Sequence, residues 1–374
     1  MKKAKNNSVF SNKTAVILVL LVVLLVVFGI VMVYSASYYS AQRNYNNSMF
    51  FLTKQIVGFV LGLVSLIILS KVNYNKLSKF TIPLFIFSIV LLLLVFVPGI
   101  GVENYGARRW LALPGFTIQP SEIAKFAFVL LSASYMSKNY DKMKTFKGIL
   151  PVLLSGGITC LLIIAEPNMS ITMCVALIVF VMLFVGGLTK KHFFMLIIPA
   201  IFLVVLLIII EPYRMARLAA FINPWQNPKG EGYQLIQSFF SIGNGGLFGV
   251  GLFNSRQKYL FLPFAESDFI FSVIAEELGL FGVLIVLGAY FAVVVCGIKI
   301  AIHAKNRFGC YLATGITSVI AIQTLLNIAV ISGSIPPTGL PLPFISSGST
   351  SIVVFMSAIG VLLNINKQNK NRLV

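Results

Sequence analysis

Charge is scarce in this 374-residue chain: Asp, Glu, Lys and Arg make up 10% of it, against 58% hydrophobic residues and a mean hydropathy of +0.94. A water-soluble domain runs near 25% charged because its surface must be solvated. A soluble globular protein is therefore excluded, and lipid must be the solvent. Histidine is nearly absent. The only two, His192 and His303, fall in the short basic stretches between apolar runs, which excludes a Ser-His-Asp triad on the other side of the membrane. The four cysteines, Cys160, Cys174, Cys296 and Cys310, sit in or at the ends of apolar runs with no CxxC spacing. They read as small buried hydrophobes, and a soft-metal site is excluded.

What is present is a succession of apolar runs of bilayer-spanning length. They fall at about 15–36, 50–70, 80–98, 119–137, 149–165, 169–188, 193–211, 268–291, 310–331 and 350–365. The expected fold is an all-α polytopic membrane protein with about ten transmembrane helices: a cytoplasmic N-terminal tail (1–14), one membrane domain (15–366) and a cytoplasmic C-terminal tail (367–374). The first run lacks a small-residue cleavage site, so it is expected to be a retained helix.

The formal charge of +19 is explained by its distribution. With the N-terminus inside, most basic residues fall in cytoplasmic segments: Lys2, Lys3, Lys5 and Lys13; Lys71, Lys76 and Lys79; Lys138, Lys142, Lys144 and Lys147; Lys190 and Lys191; Lys299, Lys305 and Arg307; Lys367, Lys370 and Arg372. The positive-inside rule then places both termini in the cytoplasm. The excess is a topology signal, helped by attraction to anionic lipid, and nucleic acid is not an expected partner. Of the ten acidic residues only Asp141 falls inside; Glu103, Glu122, Glu166, Glu211, Glu231, Glu266, Asp268, Glu276 and Glu277 lie outside or near the outer ends of spans. Either acids are simply disfavoured inside, or a polar site faces outward.

Three long loops also face outward, 99–118, 212–267 and 332–349, all rich in Trp, Phe, Leu or Gly, which argues against disorder. Within the second, Tyr233, Leu235, Ile236, Phe239 and Phe240 have helical spacing and predict a short amphipathic helix at the membrane surface. The glycine-rich SIGNGGLFGVGLFNS that follows is no phosphate loop, lacking GK[ST] and a preceding strand; tight backbone packing of a re-entrant segment explains it.

Charges in or beside spans cost a few kcal/mol each, which makes them functional candidates. Asp268 stands where the long loop enters the eighth span, as a helix N-cap together with Ser267 or as a proton acceptor at a cavity mouth. Glu276 lies roughly 12 Å deeper and about 80° round, sharing that cavity or paired in the bundle, whereas Glu277 faces the opposite way. Glu122 and Lys125, three apart, form either a structural ion pair or a substrate-facing one. Arg108, Arg109 and Trp110 put two cations and an aromatic on the side where the charge bias disfavours cations, and arginine suits phosphate oxygens. Arg214, Arg217, Arg256 and Lys258 extend this basic set. Glu166 stands at a turn shaped by Pro167 and Asn168, and Gln237 and Ser347 are further polar candidates on the outer loops. The constellation fits an anionic, lipid-linked substrate met on the outer leaflet.

The segments GARRWLALPGFTIQPSEIAK (106–125), EPNMS (166–170), NPWQNPKGEGYQLIQSFFSIGNGGLFGVGL (223–252), SRQKYLFLPFAESDFIFSVIAEELG (255–279) and PPTGLPLPFISSGSTS (336–351) resemble, in order, those of the SEDS family (shape, elongation, division and sporulation). NPW, SRQKYLFLP and MVYSAS (32–37) look more like its FtsW and sporulation branch than its RodA branch. The resemblance implies a peptidoglycan glycosyltransferase that polymerises lipid II onto a lipid-linked growing glycan at the outer face of the cytoplasmic membrane. It further implies a class B penicillin-binding transpeptidase as partner, alongside other divisome or sporulation membrane proteins. It makes Asp268 the general base, with Arg109, Glu122, Lys125, Glu166, Gln237, Lys258, Glu276 and Ser347 as substrate-binding candidates. No protein metal ligands are expected; a divalent cation, magnesium or manganese, is the one cofactor the chemistry allows. Where the family has EPD this chain has EPN, so Asn168 removes a carboxylate. Two other functions compete: a lipid II flippase, for which Glu276 would be the telling residue, and a scaffold that only recruits a transpeptidase.

Overall fold

The computed structural model describes residues 2–104, 107–113, 116–210 and 212–370; Glu211, the side chain of Arg214 and the last four residues of the expected C-terminal tail lie outside the described residues. Among the described residues thirteen α-helices follow one another: α1 (Lys2–Tyr45), α2 (Phe50–Lys71), α3 (Tyr74–Leu77), α4 (Thr81–Leu94), α5 (Pro120–Lys138), α6 (Phe146–Ala165), α7 (Met169–Val185), α8 (Lys190–Ile210), α9 (Pro212–Ile222), α10 (Tyr233–Gly245), α11 (Ile270–Ile302), α12 (Arg307–Ile331) and α13 (Ser349–Lys370). Each expected span falls on one of them. Among the described residues, seven are long and apolar enough to cross a bilayer (α1, α2, α6, α8, α11, α12, α13), and α4 and α7 are shorter apolar helices. The chain is a multi-pass membrane protein.

The fourth expected span, α5, is different. It carries buried Ser121, Glu122, Lys125, Ser132 and Ser134 and packs against α4, α6, α7, α12 and α13. Surrounded by protein, it needs no continuous lipid-facing surface, and its two charges, Glu122 and Lys125, are paired within the bundle. Helix α1 begins at Lys2, so the residues expected as a separate tail continue the helix. At 1.5 Å per residue it is about 66 Å long, twice what a bilayer core requires.

Helices α2 and α13 pack closely along their length. A Cβ on Gly58 would sit 2.9 Å from the backbone of Ser349, and one on Gly62 2.6 Å from the sulfur of Met356. Two glycines four residues apart let the helices touch along one face, as small residues commonly do in membranes.

Long loops gather at one end of the bundle. The loop between α4 and α5 holds a three-stranded antiparallel sheet, β1 (Gly101–Asn104), β2 (Ala107–Leu113) and β3 (Phe116–Ile118), not foreseen for a loop within an all-α chain. The lysine-rich turns sit at the opposite end, where Tyr74, Asn75, Asn306, Asn364 and Gln368 exchange hydrogen bonds.

The expected amphipathic helix exists as α10, but it packs on α11 instead of lying free at the surface. Leu235 and Ile236 are buried while Phe240 stays exposed. The expected re-entrant packing also exists. Helix α11 is broken at Gly279, at φ 65° and ψ −165°, and the glycine-rich segment fills the break. Val250 N and Gly251 N donate to the carbonyls of Glu276 and Glu277, and Leu280 N donates to Gly246 O. Only glycine serves at the crossing: a Cβ on Gly249 would lie 2.1 Å from Glu277 O. The eighth span is thus a short buried piece, Ile270–Gly279, followed by the longer crossing.

Candidate active site

Phe269 is the N-cap of α11 and makes no side-chain cap hydrogen bond. Neither Ser267 nor Asp268 caps it, so the capping role open to Asp268 in the sequence is not the one it plays. Its carboxyl is half-buried at the loop-bearing end. The 336–347 loop forms one wall. Gly339, at φ +70°, approaches so closely that a Cβ there would stand 2.9 Å from Asp268 Oδ2. Asn327 Nδ2 donates to Asp268 O at 2.9 Å and to Leu340 O at 2.6 Å. Ser346 Oγ accepts from Leu342 N at 2.7 Å and donates to Ser267 O at 2.6 Å, and Ser347 N donates to Glu266 O at 2.9 Å. Phe264 and Phe344, one on each segment, hold positive φ, a backbone state that costs about 1–3 kcal/mol and persists only where the surroundings over-determine it.

Two guanidinium groups bear on the carboxyl. Burial pushes Asp268 up to about 6, against the opposing pull of Arg109, Arg217 and a hydrogen bond from Ser267. Burial raises Glu266 as well, with the Asp268 charge adding to it. Arg217, on α9, is fixed by donating from Nη1 to Pro337 O at 2.9 Å. Arg109 is placed by a β-bulge. Val102 pairs with Trp110 and Glu103 with Arg108, so Arg109 is the extra residue of β2. A bulge re-aims its side chain, and Arg109 reaches across to the α6–α7 turn, donating to Glu166 O at 3.2 Å and to Pro167 O. Its neighbour Arg108 turns the other way, to an exposed pair with Glu103.

Glu166 ends α6 with its side chain wholly buried and neither carboxylate oxygen hydrogen-bonded. Burial pushes it up to about 8, with Arg109 only partly offsetting. A carboxyl protonated more tightly in the fold than in the unfolded chain contributes stability that is lost as pH rises from its unfolded value near 4.5 through about 8. Glu166→Gln is therefore expected to leave thermal stability nearly unchanged at pH 4.5 and below and to flatten its decline between pH 4.5 and about 8, as read by unfolding scans across pH. Asn168 accepts from Ile171 N and caps α7.

The remaining candidates are not gathered around Asp268. Glu122 and Lys125 form a 2.8 Å ion pair with both side chains 0% exposed, and Lys125 also donates to Gln323 Oε1. Lys258, 6% exposed, is paired with Glu277 at 3.0 Å and bonded to Ser35. Glu276, expected to share the cavity, accepts instead from Ser241 Oγ, Ser255 Oγ, Arg256 N and Gln257 N. Together Glu276 and Glu277 clamp the 253–258 segment onto α11. Gln237 is half-buried on α10, and Ser347 meets the site through its backbone. Asn327, Gly339 and Ser346 were missed. They are uncharged, and only the TGLPLPFIS run hinted that this loop matters.

The profile of the FtsW/RodA/SpoVE family of cell cycle proteins matches residues 15–371. The chain belongs to this family. A probable peptidoglycan glycosyltransferase FtsW of Geobacter sp. (strain M18) is 38% identical over 91% of this chain and 93% of its own length. Stage V sporulation protein E of Bacillus subtilis (strain 168) is 36% identical over 95% and 97%. In three dimensions the chain is similar to a chain of a peptidoglycan synthase complex solved for its coordination of polymerization and crosslinking, with TM-score 0.77, 28% identity and coverage of 94% and 97%. The FtsW/RodA/SpoVE likeness thus extends over essentially the whole bundle, loops included.

Proposed function

We propose that this chain is a peptidoglycan glycosyltransferase that polymerises lipid II at the outer face of the cytoplasmic membrane, with Asp268 as general base. The observation that carries this reading is a half-buried carboxyl, walled by the 336–347 loop and under the electrostatic pull of Arg109 and Arg217, at the bundle end remote from the lysine-rich turns. The positive-inside rule makes the lysine-rich end cytoplasmic, so Asp268 meets substrates carried in the outer leaflet.

The Asp268 carboxylate takes the proton of the acceptor's sugar 4-hydroxyl. That oxygen forms the new bond to the anomeric carbon of the growing chain, from the face opposite the leaving group. The carbon–oxygen bond to the lipid pyrophosphate breaks, and the pyrophosphate departs with the electron pair. Its low basicity means no second carboxyl has to protonate it. Arg109 and Arg217 stand within electrostatic reach of the base and supply the positive field for the pyrophosphate as its charge grows, a task the sequence alone shared among Arg109, Lys125 and Lys258. Among the described residues no three His, Cys, Asp or Glu side chains converge. A divalent cation would accordingly be held by the substrate's own phosphates and water, as magnesium often is, adding to that positive field. A class B penicillin-binding protein is the expected partner, as the similarity to a chain of a peptidoglycan synthase complex suggests.

The break in α11 favours a transporter, but Glu276 and Glu277 are already engaged by Ser241 on α10 and by the 253–258 segment. Purified protein with its transpeptidase partner should convert fluorescent lipid II into a ladder of glycan strands. Translocation of lipid II across proteoliposomes with no polymer formed would assign the chain to transport instead.

A further inference from the structure

Gln323 and Asn327 lie one helical turn apart on α12, hence on one face, and both are buried, at 0% and 1% exposure. Gln323 accepts from Lys125 Nζ and donates from Nε2 to Pro341 O at 2.9 Å. Asn327 spends its amide nitrogen on two carbonyls distant in sequence, those of Asp268 and Leu340. Its own oxygen, Oδ1, is buried with no hydrogen-bond partner. The unpaired buried oxygen costs stability, so packing alone does not account for an amide here. What the amide provides is geometry. It fixes the backbone of the carboxylate-bearing residue and that of Leu340 to one point, and Gly339, next to Leu340, is the residue pressed against Asp268 Oδ2.

We infer that Asn327 and Gln323 are positioning residues of the glycosyl transfer: they hold the 339–341 backbone against the Asp268 carboxyl and tie it to the buried Glu122–Lys125 pair. The pair then acts on the reaction without touching substrate. Glu122 orients Lys125, Lys125 orients Gln323, and Gln323 with Asn327 sets the wall that fixes where the base points. Ser351 Oγ, 3.4 Å from Glu122 Oε2, links the start of α13 to the same chain of contacts.

The inference rests on Asp268 being the base, and the test separates the two. Lipid II polymerisation is followed with the complete protein and its partner, with kcat and KM normalised to folded protein. Asn327→Leu removes both donors while keeping shape. It should lower kcat by about 10–100-fold, as misplacement of a reacting group does, with KM for lipid II changed less than about threefold. Asn327→Asp, which keeps the volume and replaces the donors, should show the same split and serves if the leucine variant fails to fold. Lys125→Met should also lower kcat, and adding Gln323→Met to it should cost little more, because one route carries both. Both Asn327 variants retaining kcat within about threefold of the parent, while Asp268→Ala is inactive, would overturn the positioning role; so would fully additive losses in the Lys125–Gln323 pair. An active Asp268→Ala protein would instead remove the base on which the inference stands.

Discussion

Asp268→Ala is expected to reduce glycan polymerisation by about 10²–10⁴-fold, the range that a positioned base contributes, with little change in the amount of folded protein. The carboxyl is half-buried, and burial outweighs the pull of Arg109 and Arg217, raising it to about 6. Removing it therefore relieves an electrostatic cost above that pH and does not open a hole in the core. Stability at neutral pH should be equal or slightly higher in the variant, a direction opposite to that of a structural aspartate. Thermal unfolding in detergent beside the polymerisation assay reads both quantities from one preparation. Loss of fold in step with loss of activity would make Asp268 structural.

The second large effect lies away from the site. Lys258 and Glu277 form a buried ion pair that also engages Ser35, Phe253 N and Ser255 N. Breaking such a pair from one side leaves a buried charge uncompensated, a loss of about 3–5 kcal/mol. Lys258→Met is therefore expected to destabilise the protein by that order. Glu277→Gln added to it should recover much of the loss, since the glutamine oxygen still accepts from the loop amides while the orphaned charge is gone. Unfolding midpoints of the two single variants and the double variant measure the coupling. Equal destabilisation of the single and double variants would mean that shape, not charge, holds the 253–258 segment.

The helices were legible in the sequence because the bilayer imposes one requirement on all of them, a run of apolar residues some 20 long. Each apolar run became a helix, α5 included, although burial within the bundle spared it a lipid-facing surface. The carboxylate at the mouth of α11 was legible through the order of the motifs around it. The partners of the other charges were not. Lys258 looked outward-facing and free to bind phosphate, yet it pairs with Glu277 19 residues away, a distance fixed only once the glycine-rich segment folds into the break at Gly279. Glu122 and Lys125, three apart, did announce that they meet, but not that Gln323, 198 residues from Lys125, completes their contacts. Nothing in composition sets Arg109 apart from Arg108; the bulge that sends the two side chains to different partners depends on strand register, and no strand was foreseen there.

Should base catalysis by a shielded carboxyl drive the transfer, activity must follow that group's ionisation. The direct measurement is kcat for lipid II polymerisation between pH 4.5 and 8.5, on protein shown to stay folded throughout. A plateau above neutrality with a fall approaching tenfold per pH unit below about 6 is the predicted profile. A rate that stays level down to pH 4.5 would contradict it.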